Sequence, residues 1–159
     1  MKVLHRTLLV TASHGFVLAA GFALGVYLLP VWTAAPAPLP AELAAARAQA
    51  TFSGELRRDL RDSDWLHWGE GTVQVGPRLV AHAGRLAPGP DYKLYLAPQF
   101  VETEADFLRM KPRMVRIGDV RGYQGFVLPV PAGVDVAAYT TVVIWCETFG
   151  QFISAARYR

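Results

Sequence analysis

The chain has a single cysteine, Cys146, and that scarcity excludes a good deal. No intramolecular disulfide can form, and there is no Cys-x-x-Cys zinc or thioredoxin-type pair and no Cys-x-x-Cys-His for covalent haem. A serine elbow, a phosphate-binding glycine loop and a zinc-protease helix are missing as well, so no dedicated catalytic machinery is expected. Charge is sparse: 18% of residues are charged and the net charge is +3. From Thr51 onward thirteen Lys/Arg face twelve Asp/Glu. Without a basic stripe or RNA-binding aromatic motifs, nucleic acid is not an expected partner. Beyond residue 50 no long amphipathic helical pattern occurs either.

What the chain does have is a long uncharged run. Leu8 to Leu29 spans 22 residues without a formal charge, enough to cross a hydrocarbon core of about 30 Å as a helix. Lys2, His5 and Arg6 precede it and no basic residue follows until Arg47, so the positive-inside tendency places the N-terminus in the cytoplasm. Everything after Pro30 is then expected to be periplasmic or extracellular. A cleaved signal peptide is the competing reading. Its apolar region usually has only about 7–15 residues, and the small-residue triplets here run straight into proline, so an uncleaved anchor over residues 1–30 is favoured. Lipid is the partner expected for residues 8–29. Gly21-Phe-Ala-Leu-Gly25 has the spacing of a close helix–helix contact and would allow an anchor-mediated homodimer. His14 is the one ionisable group within the span; facing a neighbouring helix or snorkelling is its plainest role.

Residues 31–50 form a Pro/Ala-rich linker. Alternate prolines at 36, 38 and 40 favour extended geometry, and Glu42 to Ala50 has the composition of a short helix. Residues 51–159 read as one all-β domain, an antiparallel sandwich or barrel-like fold. Strands are predicted at Thr51–Leu56, Gly71–Val75, Leu79–Ala83, Tyr92–Ala97, Val115–Asp119, Phe126–Val130, Thr141–Glu147 and Gln151–Tyr158. Only Glu102 to Lys111 reads as helical, closed by Pro112. In the strand that starts at Thr141, alternation puts Val142, Ile144 and Cys146 on one face and Val143, Trp145 and Glu147 on the other. Both faces are largely apolar, which predicts a central strand covered on both sides.

Cys146 is therefore the first candidate functional residue. Its chemistry stays open between a bare redox thiol, a mixed disulfide and a ligand to copper or haem, with a small buried hydrophobe as the structural alternative. Glu147, if close, would raise the thiol pKa. His67, His82, Met110 and Met114 are weak candidates to complete a copper site with Cys146, though nothing in their spacing requires one. Asp59, Asp62 and Asp64 stand among Arg57, Arg58 and Arg61. Calcium is conceivable there, but a self-paired solvated loop fits the alternating signs better.

Several segments occur in a characteristic order: Phe52-Ser-Gly54, Gly71-Thr-Val-Gln-Val75, Gly89-Pro-Asp-Tyr-Lys-Leu-Tyr-Leu96, Ile117-Gly-Asp-Val-Arg-Gly122, Gly125-Phe-Val-Leu-Pro129 and Val142-Val-Ile-Trp-Cys146. Taken together, residues 52 to 158 resemble the electron-transfer DM-thirteen domain, found beside DOMON domains in Skeletor-type animal proteins and alone in bacterial membrane-anchored proteins. The closing aromatic–cysteine pair, with Phe149 and Ala155-Ala156, is the most specific part. The resemblance implies a β-sandwich-like fold and a redox role centred on Cys146. Its electron partner would be another molecule, a redox or envelope protein, because no DOMON or cytochrome segment is present. The alternative is a non-catalytic β-sandwich that binds an envelope protein or small ligand, with Cys146 structural.

Overall fold

The computed structural model describes residues 2–159. Helix α1 runs Lys2–Trp32, unbroken through the uncharged segment, and its outward-facing Leu, Val and Phe side chains are largely exposed. It is long and apolar enough to cross a membrane. Within it the His14 ring nitrogen Nδ1 lies 2.8 Å from the Val10 carbonyl, so the imidazole is satisfied locally.

The proline run does not stand off from the domain. The Ala35 N–H donates to the Arg121 carbonyl at 2.8 Å, and a Cβ on Gly122 would meet the Ala35 carbonyl. Helix α2, Pro40–Ala48, follows, with the Glu42 carboxylate accepting from the Leu39 N–H at 2.8 Å. It buries Ala46, and the Gln49 side chain beyond its end accepts from Arg78 at 2.6 Å.

Eight strands build two antiparallel four-stranded sheets. The first contains β1 (Phe52–Leu56), β2 (Gly69–Val75), β3 (Leu79–Leu86) and β6 (Phe126–Pro129) in that order. The second has the order β5-β4-β7-β8, with β4 at Tyr92–Ala97, β5 at Val115–Val120, β7 at Thr141–Cys146 and β8 at Gln151–Arg157. The fold is the expected sandwich, and its edges come together: a Cβ on Gly54 in β1 would collide with the Arg157 backbone of β8.

Between the sheets lie Val73, Val75, Val80 and Phe126 from the first, and Leu94, Leu96, Val142, Ile144 and Cys146 from the second. The outer face of the second sheet is covered too. Val143, Trp145, Phe152 and Ala155 pack there against Phe107 and Met110 of helix α3 (Glu104–Met110) and against Leu60. Thr103 caps α3 by accepting from the Asp106 N–H, and Pro112 follows it in a short 3-10 turn. Both faces of β7 are thus buried, divided as the alternation predicts. Opposite the junction of Ile144 and Trp145, β8 carries a bulge: Ser154 pairs with Ile144 and Phe152 with Trp145, so Ile153 is an extra residue turned into the core between the sheets.

The predicted β3, Leu79–Ala83, stops short of the real one, which continues through Gly84 and Arg85 to Leu86. His82 is completely buried, against Phe126 at 5.3 Å between ring centroids. Its Nε2 lies 3.0 Å from the Glu70 carbonyl, which makes Nε2 the protonated nitrogen, while Nδ1 has no partner. Burial holds the imidazole below its ordinary pKa, partly opposed by the bond to Glu70. The folded chain therefore keeps His82 neutral while the unfolded chain protonates as pH falls past about 6.5. Stability is complete above that value and declines below it, by up to about 1.4 kcal/mol per pH unit. Urea unfolding between pH 7.5 and 5.5 should show this slope, and His82→Gln should flatten it.

Candidate functional site

Strand β7 ends on Cys146, where the chain turns through Glu147 to Gly150 and returns as β8. Gly150 has φ +63, a left-handed conformation that favours glycine, and this lets the return be tight. The register sets Cys146 opposite Tyr92 of β4 on one side and Gln151 of β8 on the other. Tyr92 lies against the Pro88-Gly-Pro90 loop so closely that a Cβ on Gly89 would strike its ring. Tyr123 meets Tyr92 edge-on at 6.0 Å, and its hydroxyl donates to the Gly89 carbonyl at 2.5 Å. Cys146 and two phenols thus occupy one end of the sandwich.

A mainly apolar cavity of about 390 Å³ opens at this end. Cys146, Tyr92, Ile153 and Phe149 line it from the β domain, and Ala23, Val26 and Tyr27 line it from α1. His67 and Gln151 are its polar side chains other than phenols.

The electrostatics of the thiol follow from this placement. Cys146 is only 2% exposed, and burial raises its pKa. The backbone N–H groups of Phe149, Asp91 and Thr148 oppose that rise, and the Asp91 carboxylate adds to it. Burial likewise pushes the Tyr92 phenol far above its usual range, with smaller contributions from Cys146, Tyr123 and Tyr27. The nearby acid is Asp91, not Glu147 as sequence adjacency implies. Glu147 lies on the other side, where Lys111 reaches its carboxylate at 2.7 Å and the Tyr95 hydroxyl donates to it. Asp91 is itself paired with Lys93 at 2.5 Å and accepts from the Thr148 hydroxyl at 3.1 Å.

The copper-type set is not brought together. Met110 and Met114 belong to the outer cluster with Trp145, across β7 from the thiol. His82 faces between the sheets on the first sheet and does not line the cavity. His67 does line it, held by Asp64 at 3.0 Å to Nδ1. Burial opposes the charge on Asp64, but the His67 ring and the N–H groups of Leu66 and His67 keep its carboxyl below the ordinary range. Nδ1 is then the protonated nitrogen. The other acids of that loop have their own tasks: Asp59 pairs with Arg57 at 2.5 Å, and Asp62 accepts from the Glu104 N–H at 2.7 Å. Among the described residues no three His, Cys, Asp or Glu side chains converge on a point that would hold a metal ion.

Tyr27, Tyr92, Tyr123, Asp91 and Gln151 were not candidates from sequence. The one local signal was the Pro88-Gly-Pro-Asp91 turn, which leads directly into Tyr92.

Neither a curated protein nor a solved structure matches the chain. The family model described as electron transfer DM13 matches residues 60–158, more than half of the chain. That stretch carries His67, the Pro88–Tyr92 turn, Tyr123 and the whole of β7 and β8, so the β-domain wall of the cavity and its thiol lie inside the matched region. The chain belongs to the electron transfer DM13 family.

Proposed function

We propose that this protein is a membrane-anchored electron-transfer module, held by α1 on the outer side of the membrane, with the Cys146 thiol as its redox group. One observation carries this reading: the only cysteine of the chain is a wall of a cavity, flanked by Tyr92 and near the phenol of Tyr123. Membership of a family described as electron transfer supports it. The charge distribution around Leu8–Leu29 supports the orientation. The Cys146 sulfur would exchange with a disulfide of a separate redox protein of the envelope: it bonds one sulfur of that disulfide, and the other sulfur leaves as a thiol carrying the S–H proton.

The anchor has its own test. A reporter fused after Arg159 should behave as exported, and the protein should stay with the membrane through alkaline extraction. A soluble product beginning near Pro36 or Pro38 would contradict the anchor.

A second reading rests on a specific observation. The thiol is almost completely buried and its pKa is raised by burial, which is how a structural cysteine behaves. In that case the domain is a non-catalytic module that binds an envelope protein or small ligand. Substituting Cys146 and measuring electron transfer and stability separately distinguishes the two.

A further inference from the structure

We propose that the cavity between α1 and the β7–β8 end of the domain is a binding site for a bilayer-dissolved quinone. The proposal rests on the anchored electron-transfer reading and assigns a ligand class to that site. If Leu8 to Leu29 spans the bilayer, Ala23 lies six residues inside the outer end of the span, about 9 Å at the rise of an α-helix. The cavity wall made by Ala23, Val26 and Tyr27 is then within the outer part of the hydrocarbon layer, and a molecule dissolved there reaches the cavity without crossing water. Two aromatic side chains of the domain flank the same end, Trp65 at 82% and Phe149 at 55% exposure. Exposed aromatics of this kind are costly in water and favoured at a membrane surface.

The interior selects a ring that carries oxygens. A volume of about 390 Å³ is within the range of small-molecule sites, and the walls are mostly apolar. Tyr27, Tyr92 and Phe149 offer aromatic faces to a flat ring. Polar groups are few and specific. Because Asp64 takes the Nδ1 proton of His67 in a hydrogen bond at 3.0 Å, Nε2 is the nitrogen left to accept from a quinol hydroxyl. The Gln151 carboxamide can donate to a quinone carbonyl. An acyl chain would use none of these groups.

The test is a titration of decylubiquinone into the full chain in phosphatidylcholine nanodiscs, read as the thermal midpoint of the β domain. Ligand binding to the folded state raises that midpoint saturably. Decylbenzene, with the same tail and no oxygens, should leave it unchanged. Ala23→Trp fills the cavity from the helix side, outside the β domain, and should weaken the half-saturation point at least tenfold while leaving the unliganded midpoint in place. Gln151→Ala, which removes the donor to the quinone carbonyl, should weaken it about tenfold, and His67→Ala should weaken decylubiquinol, whose hydroxyl Nε2 accepts, by a similar factor. No response to decylubiquinone, an equal response to decylbenzene, or an unaltered response of Ala23→Trp would each overturn the site. Alkaline extraction of the same chain from vesicles reads the anchor separately. A chain that resists extraction but ignores decylubiquinone overturns the quinone site alone, and a chain that alkali releases overturns both.

Discussion

Trp145→Ala should destabilise the β domain by about 3–5 kcal/mol, a large share of the 5–15 kcal/mol that typically holds a domain folded. The indole is 1% exposed and stacks on Phe107 with centroids 3.9 Å apart and planes 10° from parallel. Phe107 in turn meets Tyr95 edge-on at 5.3 Å. Trp145 therefore fixes α3 to the outer face of the second sheet, and its removal leaves a cavity that a short helix held by one cap cannot collapse to fill. Urea unfolding followed by circular dichroism would measure the loss. A cost below about 1 kcal/mol would mean that α3 contributes little to the fold. Trp145→Phe should be much milder, and it should leave the environment of the thiol unchanged because the two side chains point to opposite faces of β7.

Cys146→Ala should have the reverse profile. Replacing a buried thiol by a methyl group removes one heavy atom from the inter-sheet core, at a cost on the order of 1 kcal/mol. The domain stays folded and its electron transfer to a partner is lost. The measurement is the unfolding midpoint together with electron transfer in membranes carrying each variant. A variant whose activity falls only in proportion to its stability would assign Cys146 to packing.

The contrast between these neighbours was legible in the sequence. A run of β-branched and aromatic residues alternating Val142, Ile144, Cys146 against Val143, Trp145 leaves little choice about which face each side chain takes, and the two clusters divide accordingly. The end of β3 was less legible, because Gly84 and Arg85 interrupt the apolar pattern. What extends the strand is its pairing with Gly69–Gly71 across β2, a contact no local signal encodes. The same holds for the thiol's surroundings. Adjacency nominated Glu147, but alternation turns it toward Lys111 and Tyr95, and the acid near the sulfur, Asp91, arrives from the turn ahead of β4 instead. The linker is a third case: its docking rests on a backbone bond from Ala35 to Arg121, and a main-chain donor carries no mark of residue type. The α1 wall of the cavity is non-local in this sense, since Ala23 and Tyr27 precede Cys146 by more than a hundred residues.

The central claim is that Cys146 is a redox group in the folded protein. Its most direct test is a titration of the purified, prereduced full chain with a small aromatic disulfide under native conditions, wild type beside Cys146→Ala. With one cysteine per chain, the wild type should release about one equivalent of the aromatic thiol per chain before any denaturant is added, as the Cys146 sulfur joins one sulfur of the reagent and the other leaves, and Cys146→Ala should release none. A wild-type chain that yields its equivalent only after unfolding, or matches Cys146→Ala throughout, would contradict the claim and leave the cysteine as part of the core.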